Sequence, residues 1–182
     1  CICLAFVTLA LCSCNDYLDK KLISKIDSEK FFANEEQLQL FANGLYLNMT
    51  PDAENLTTGG STCDYLARNT TSPLLEKKFT VNQMSGWNIG AWKDLFRINY
   101  FLEHMDKAAC TPEVINHYRG IARFWRALFY FDKVKSYGDV PWYNYTIQAE
   151  DTVSLYKARD NREMVMDSVL QDINYACAHI MN

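Results

Sequence analysis

The feature that most constrains the fold is one long helical stretch between Thr111 and Pro141. Thr111 is a typical N-cap residue, and Pro112 suits the first helical position. Gly138 is the expected residue just past the helix end, and the proline that follows cannot continue a helix. The pattern therefore predicts a helix that ends at about Tyr137. Its apolar side chains occupy more than one face, so we expect neighbouring elements on both sides of it.

Helical spacing of apolar residues predicts three further helices, over about 35–49, 90–109 and 161–181. The first follows Asn34 as N-cap with Gln37 three residues later, the spacing of a capping box. The second predicted helix joins the longest one through a very short connection, which favours antiparallel packing. Irregular stretches occupy 50–87 and 142–159. We therefore expect a mostly α fold of antiparallel helix pairs with long irregular loops.

The helix pairs do not by themselves identify an architecture. No tetratricopeptide period of about 34 residues is visible, so a solenoid and an ordinary bundle both remain open. Gly120 stands inside the longest helix, where glycine costs about 1 kcal/mol relative to alanine. Its presence there predicts a close approach by a second helix.

The N-terminal residues 1–12 contain no charged side chain. With a rise of about 1.5 Å per residue, this run is too short to cross a hydrocarbon core of about 30 Å, but it has the length of the apolar part of a signal peptide. The sequence LCSC at 11–14 follows and resembles a bacterial lipobox. We predict a signal peptide over 1–13 and a lipid on Cys14, followed by a tether and extended segment over 14–33.

Ordinary secretion and a Cys-x-Cys metal site are the alternatives for this segment. The metal interpretation lacks a further ligand at suitable spacing before Cys63. Removal of the leader would leave Cys63, Cys110 and Cys177 besides the lipid-bearing cysteine. Three cysteines cannot all pair, so we expect no disulfide scaffold.

Charge and motifs argue against several functional classes. The net charge is −4, whereas nucleic-acid binders usually carry a concentrated basic surface, so no nucleic-acid partner is expected. His104, His117 and His179 lie far apart without an HExxH pattern, so no metal site is predicted. The sequence contains no P-loop or dinucleotide fingerprint, and no cofactor is expected.

Several motifs coincide around the longest helix. The sequence ARFWRALFYF at 122–131 is followed by YGDVP at 137–141, and together they resemble the signature of the SusD/RagB family. The residues that carry this structural signature are Arg123, Phe124, Arg126, Tyr137, Gly138, Asp139 and Pro141. The similarity extends in order through nearly the whole chain, but family members are longer. We therefore expect an incomplete, SusD-like N-terminal helical domain over 34–182.

The resemblance implies a lipid-anchored, surface-exposed outer-membrane protein of Bacteroidetes that is not an enzyme. Such proteins capture oligosaccharides or other nutrients and deliver them to a SusC-like TonB-dependent transporter. Their mostly α fold uses divergent tetratricopeptide-like helix pairs. The helices typically face the transporter, and ligand binding uses loops.

Candidate ligand-binding residues lie in the loop before the second predicted helix. Trp87 offers an aromatic face that can stack on the apolar C–H face of a sugar, and the Asn88 amide can bond two hydroxyls. Asp64, Tyr65 and Arg68 could add hydrogen bonds. The alternative for Trp87 and Tyr65 is that they only pack the loop onto the helices.

Arg123 and Arg126 fall three residues apart on one helical face. We expect them to form ion pairs with acids of a neighbouring helix, for instance Asp167 or Asp172, and a partner or anion contact is the alternative. The segment 137–141 is interpreted as structural, because it combines a helix stop, a turn and an extended exit.

Two other functions remain open. An outer-membrane glycoside hydrolase would need two carboxylates about 5–9.5 Å apart across a cleft. Asp64 and Glu76 are loop candidates, but nothing in the sequence places them together. A ligand-free helical scaffold lipoprotein would instead show a polar, aromatic-free surface around 63–90.

Overall fold

The structure is a computed structural model that describes residues 31–50, 87–148 and 150–181. The described residues from 32 onward belong to one compact unit. Several predictions fall outside the described residues, namely the 1–13 leader, the lipid on Cys14, and the loop residues Asp64, Tyr65, Arg68 and Glu76.

Helices dominate the described part of the chain. They are α1 (Glu35–Met49), α2 (Ile89–His104), α3 (Pro112–Tyr137), α4 (Thr152–Leu155) and α5 (Arg162–His179), with a 3-10 turn at Met105–Lys107. Within the described ranges no β-strand forms, although Val140 and Asp160 make an isolated antiparallel bridge. The predicted mostly α class is confirmed.

Local end signals set the bounds of α1 and α3. The side-chain oxygen of Asn34 accepts the N–H of Gln37 at 3.0 Å. The Gln37 side chain in turn accepts the N–H of Ala33 at 2.8 Å, one residue earlier than in a standard capping box. Helix α3 begins at Pro112 and ends before Gly138, whose φ of 72° favours glycine. Both helices have the predicted bounds.

Helix α2 was predicted over 90–109 but ends at His104, after which the chain tightens into the 3-10 turn. The N–H of Ala109 then donates to the carbonyl of Ala33 at 2.9 Å. The chain leaves the helix axis where this tertiary hydrogen bond forms. No residue pattern near His104 predicts that the helix ends there.

Helix α4 was missed, because it lies in the stretch 142–159 that was predicted to be irregular. Asp151 caps it by accepting the N–H of Ser154 at 3.0 Å. One helical turn is too short to show a hydrophobic period. Helix α5 agrees with the predicted 161–181 to within two residues at either end, and Asn161 is its N-cap.

Helices α2 and α3 pack antiparallel, as their short connection predicted. Trp92, near the start of α2, contacts Phe129, late in α3, with ring centroids 5.6 Å apart. Further along α2, Asn99 reaches Arg126, which lies earlier in α3. Partner positions in α3 move backwards as α2 advances, which is the pattern of antiparallel helices.

Helix α3 is the central element, since α5 packs extensively against it and α1 and α2 also contact it. A Cβ on Gly120 would lie 2.9 Å from Cγ1 of Ile180 and 3.6 Å from Cα of Ala176. The close helix approach predicted at Gly120 is therefore confirmed, and so are the neighbours on more than one face of α3.

One hydrophobic cluster joins α2, α3, α5 and the segment after α3. Its buried members are Leu95, Ala127, Phe129, Tyr130, Val140, Tyr143, Val165 and Val169. None of the helices in the described ranges combines the length and the hydropathy needed to cross a membrane.

Candidate functional site

A cavity of about 550 Å³ lies among the start of α2, the segment after α3, and α4. We call it the aromatic pocket, and we call residues 140–147, which contribute to its wall, the strap. Most of the lining is aromatic or aliphatic and includes Trp87, Trp92, Phe96, Tyr143, Tyr145 and Leu155. A concave, mostly apolar cavity of this size is typical of small-molecule sites.

Trp87 lines the pocket and is 40% exposed. Its ring packs edge-on against Trp92 and Tyr137, with centroid distances of 5.2 and 4.9 Å. The guanidinium carbon of Arg159 lies 4.8 Å from the Trp87 centroid. This side chain therefore packs its segment against α2 and α3 while part of the ring stays accessible, so its two predicted roles are compatible.

Asn88 also lines the pocket, but half of its amide is already engaged. Its Oδ1 accepts the N–H of Ala91 at 3.0 Å and caps α2, which satisfies one of the unpaired amides at the helix start. Only the Nδ2 group remains to donate to a ligand. The sequence signal for this cap, an Asn immediately before an apolar-periodic run, was present and was not recognised.

Four aromatic residues of the pocket were not among the candidates for ligand binding. Trp92 and Phe96 lie one turn apart on α2 and belong to the apolar spacing from which that helix was predicted, yet Phe96 is 47% exposed. Tyr143 and Tyr145 are alternate residues of the extended strap, and side chains two apart on an extended chain point the same way. The tyrosine spacing after the YGDVP motif was the available signal.

The strap is held by side chains rather than by a sheet. Three of its backbone N–H groups donate to side chains of other elements: Trp142 to Asp160 at 2.7 Å, Tyr143 to the Tyr130 hydroxyl at 2.6 Å, and Thr146 to Glu103 at 2.6 Å. Burial raises the pKa of Tyr130, so its hydroxyl keeps its proton and can both accept and donate.

Asp160 fastens the strap from the segment before α5. Partial burial by itself would raise the pKa of its carboxyl. The carboxylate is stabilised more strongly by hydrogen bonds from Lys157 and from the Trp142 N–H and by the positive charge of Lys157, so the pKa is lowered. Lys157 Nζ also donates to the carbonyl of Trp142 at 3.1 Å. The ionised carboxylate is therefore the form that holds this end of the strap.

Arg123 and Arg126 form the expected ion pairs with Asp172. Arg126 binds the carboxylate through two hydrogen bonds, Nε to Oδ2 at 2.7 Å and Nη2 to Oδ1 at 2.9 Å. Arg123 Nε adds a contact of 2.9 Å to Oδ1. Asp167, the other acid considered, is exposed on the same helix.

The 137–141 segment leads from α3 into the strap. The carboxylate of Asp139 accepts the N–H of Arg162, the first residue of α5, at 2.9 Å. Pro141 lines the aromatic pocket. Phe124, the remaining aromatic of the family signature within α3, is exposed elsewhere on that helix.

The three histidines bond backbone groups. Nδ1 of His104 and of His179 lies 2.8 and 2.9 Å from the carbonyl oxygens of Tyr100 and Tyr175, and Nδ1 of His117 accepts the N–H of Met181 at 2.9 Å. Over the described ranges, no three His, Cys, Asp or Glu side chains are grouped so that they could hold a metal ion.

The pocket suits a ligand that has flat apolar faces and polar edges. The rings of Trp87, Phe96 and Tyr145 are partly exposed and can stack against C–H groups. Nδ2 of Asn88 and the ammonium of Lys93 are available as donors at the same pocket.

Comparison with known proteins places the chain among SusD-like sequences. The profile of a SusD-like family, described as starch-binding and associating with the outer membrane, matches residues 23–182. Two proteins of Formosa agariphila, each named a SusD-like protein, are 24% and 23% identical to this chain and align with 96% and 92% of it. The chain spans only 36% and 35% of their lengths.

Solved structures show the same fold. A SusD-like protein of Bacteroides fragilis matches 85% of this chain and 31% of its own, with a TM-score of 0.67 and 22% identity. The B. fragilis protein NanU matches 87% of this chain and 34% of its own, with a TM-score of 0.58 and 19% identity.

Proposed function

Because this chain belongs to the SusD-like family of starch-binding proteins that associate with the outer membrane, we propose that it is a surface lipoprotein that captures oligosaccharides and delivers them to a SusC-like TonB-dependent transporter. The aromatic pocket is the proposed ligand site. In this proposal the protein binds its ligand without chemical change, and the lipid on Cys14 holds it to the outer membrane.

The observation that carries the proposal is the aromatic lining of the pocket in a chain of this family. Pyranose rings present C–H faces that pack on aromatic rings, while their hydroxyls require a few well-placed donors. Trp87 offers a ring that its neighbours hold in place, and Asn88 offers a donor fixed by the start of α2. A preorganised site of this kind loses little conformational entropy when a ligand binds.

Replacement of Trp87 by alanine tests the site. The ligand for this test is selected from an array of plant, algal and host oligosaccharides that includes maltoheptaose. In the full-length protein we expect Trp87→Ala to weaken binding of the selected glycan by about tenfold, equivalent to about 1.4 kcal/mol. Isothermal titration calorimetry measures the effect. Phe131→Ala is the matched control, because Phe131 is 47% exposed on α3 but does not line the pocket. Equal affinities of the two variants would remove Trp87 from the site.

Asn88→Asp separates the capping role from the ligand role. Aspartate caps helices about as well as asparagine, so the free energy of unfolding should stay within about 0.5 kcal/mol of the wild-type value. The substitution removes both Nδ2 donors, so glycan affinity should fall several-fold. Unchanged affinity would mean that Asn88 only caps α2.

The anchor and the partner are tested separately. Cys14→Ala should abolish metabolic labelling by a palmitate analogue in the native host, and continued labelling would exclude Cys14 as the acceptor. The full-length protein should co-purify from detergent-solubilised outer membranes with a TonB-dependent transporter. Its absence from such preparations would contradict the delivery role.

The glycoside hydrolase alternative gains no support from the pocket. None of the described residues that line it is Asp or Glu, whereas glycoside hydrolysis generally requires two carboxyl groups across the scissile bond. Release of reducing sugar from any polysaccharide that the protein binds would overturn the binding-only proposal.

A further inference from the structure

We propose that Asn99, held by the Arg126–Asp172 ion pair, is a positioning residue that fixes the strap wall of the aromatic pocket for ligand binding. The inference rests on the proposed function, because it takes the pocket as the glycan site. It assigns a task to Arg126 and Asp172, which do not line the pocket, and to Asn99, which lines it but is only 1% exposed and directs its amide at the strap backbone.

Asn99 holds two alternate carbonyls of the strap at once. Its Nδ2 donates to the carbonyl oxygen of Tyr143 at 3.1 Å and to that of Tyr145 at 2.9 Å. These are the same two residues whose side chains line the pocket. One amide group on α2 therefore fixes the backbone at both places where the strap presents a tyrosine.

Arg126 determines which way this amide points. Its Nη1 lies 3.4 Å from Oδ1 of Asn99, and a guanidinium can only donate hydrogen bonds. The strap carbonyls can only accept, so Oδ1 must face Arg126 and Nδ2 must face the strap. Asp172 grips the same guanidinium through two hydrogen bonds of 2.7 and 2.9 Å. The chain of contacts thus runs from α5 through α3 and α2 to the pocket wall.

These groups are almost completely buried. Asn99, Arg126 and Asp172 are 1%, 5% and 1% exposed. Over the described residues, the set of buried polar or charged side chains consists of these three and Thr146, which belongs to the strap itself. Buried polar groups are costly unless they are paired. In the described chain they are concentrated on the connection between α5 and the strap.

The strap depends on these side chains because sheet pairing does not hold it. Among the described residues, its one β-bridge is at Val140, the first residue of the strap. Loss of the Asn99 donors would leave the carbonyl of Tyr145 without this partner and that of Tyr143 with only the 3.3 Å contact from the Tyr130 hydroxyl. The tyrosines would then sample several positions, and part of the binding free energy would be needed to order them.

Asn99→Asp tests the positioning role in the full-length protein. The carboxylate has nearly the shape of the amide and can still accept a hydrogen bond from Arg126. Its negative charge is tolerated there, because the two positive charges of Arg123 and Arg126 face only the single negative charge of Asp172. It cannot donate to the strap carbonyls and repels them. A residue that only partnered Arg126 would tolerate the change, whereas a residue that positions the strap would not.

Two measurements decide the matter. Hydrogen–deuterium exchange should speed up in peptides covering 140–147, whose amides at Trp142, Tyr143 and Thr146 are bonded in the wild type. The dissociation constant for the array-selected glycan should rise about tenfold, as expected for loss of one to two hydrogen bonds. Leu38→Ala is the control, because it truncates a fully buried side chain of α1 outside the pocket.

The proposal is overturned if exchange over 140–147 matches that of Leu38→Ala, or if exchange rises while the dissociation constant does not. A wild-type protein that binds no glycan on the array would refute the proposed function separately. In that case the exchange comparison alone decides whether Asn99 positions the strap.

Discussion

Asp172→Asn is the sharpest test of how α5 is held against α3. The carboxylate is 1% exposed and accepts two hydrogen bonds from Arg126 and one from Arg123. Asparagine keeps the volume but offers one acceptor instead of two, and its amide protons point at a guanidinium. Arg126 is nearly as buried as Asp172, so it cannot recover hydration when its partner is lost.

The expected magnitude follows from this burial. Removal of one member of a buried ion pair typically costs 3–5 kcal/mol, because the remaining charge is left uncompensated. Arg126 keeps Oδ1 of Asn99 and lies 5.4 Å from the centroid of the Trp142 ring, and Arg123 is partly solvated. We therefore expect Asp172→Asn to lower the free energy of unfolding by about 3 kcal/mol, the low end of that range.

The assay is urea denaturation of the full-length protein at neutral pH, followed by far-UV circular dichroism. Asp167→Asn is the matched control, because it makes the same chemical change at an exposed position of the same helix and should stay within about 0.5 kcal/mol of the wild type. A difference of less than about 1 kcal/mol between the two variants would refute the view that a buried ion pair stabilises the α3–α5 contact.

Three further predictions concern glycine packing, acid sensitivity and capping. Gly120→Ala should lower the free energy of unfolding by about 1 kcal/mol, because its Cβ would meet Ile180 at 2.9 Å. Gly44→Ala should raise the free energy of unfolding by about 1 kcal/mol, because nothing lies within 4 Å of its Cβ. Equal effects of the two variants in urea titrations would contradict this packing. The carboxyl of Asp160 has a lowered pKa in the folded state, so its stabilisation is present above the unfolded pKa of about 3.9 and is lost as pH falls through the folded value. Asp160→Asn should therefore flatten the loss of stability between neutral and strongly acid pH, and a profile parallel to that of the wild type would count against the strap contact. Asn34→Ala should cost about 1 kcal/mol through loss of the α1 cap, while Asn34→Asp should be nearly neutral in the same urea assay.

The choice between Asp167 and Asp172 shows how a sequence can contain a signal that is not recognised. The two acids are five positions apart, so they point about 140° apart around α5 at about 100° per residue. Asp172 lies three residues after Val169 and four before Ala176, both of which are buried. The hydrophobic stripe of α5 therefore already contained Asp172, and an acid within such a stripe calls for a buried cation.

The double role of Asn88 could not be separated from sequence alone. Its position before an apolar-periodic run is typical of an N-cap, but only a ligand contact was predicted for it, from its amide and its place in the loop beside Trp87. Both features are local, but only the start of α2 decides how the amide is used. In the structure Oδ1 of Asn88 accepts the N–H of Ala91 at the start of α2, and Nδ2 remains available at the pocket.

The sequence by itself determined where α1 and α3 begin and end, the antiparallel order of α2 and α3, and the close approach at Gly120. The helix bounds follow from interactions within a few residues, namely caps, fixed dihedrals and the helical period, and the same physics acts in any surroundings. The antiparallel order follows from the short connection between α2 and α3, and the close approach follows from a glycine inside a helix. The YGDVP segment likewise showed that the chain leaves α3 through a turn into an extended strap.

Only the tertiary structure decided what the strap does. Its polar backbone groups are satisfied by side chains that are far away in sequence, such as Asn99 and Glu103, 43–46 residues distant. The two-residue period of an extended segment tells which side chains share a face, but the partners of its backbone groups depend on how α2 and α3 pack. The aromatic pocket therefore exists only once the core has assembled, because the helices must meet before the side chains that hold its wall can reach the strap.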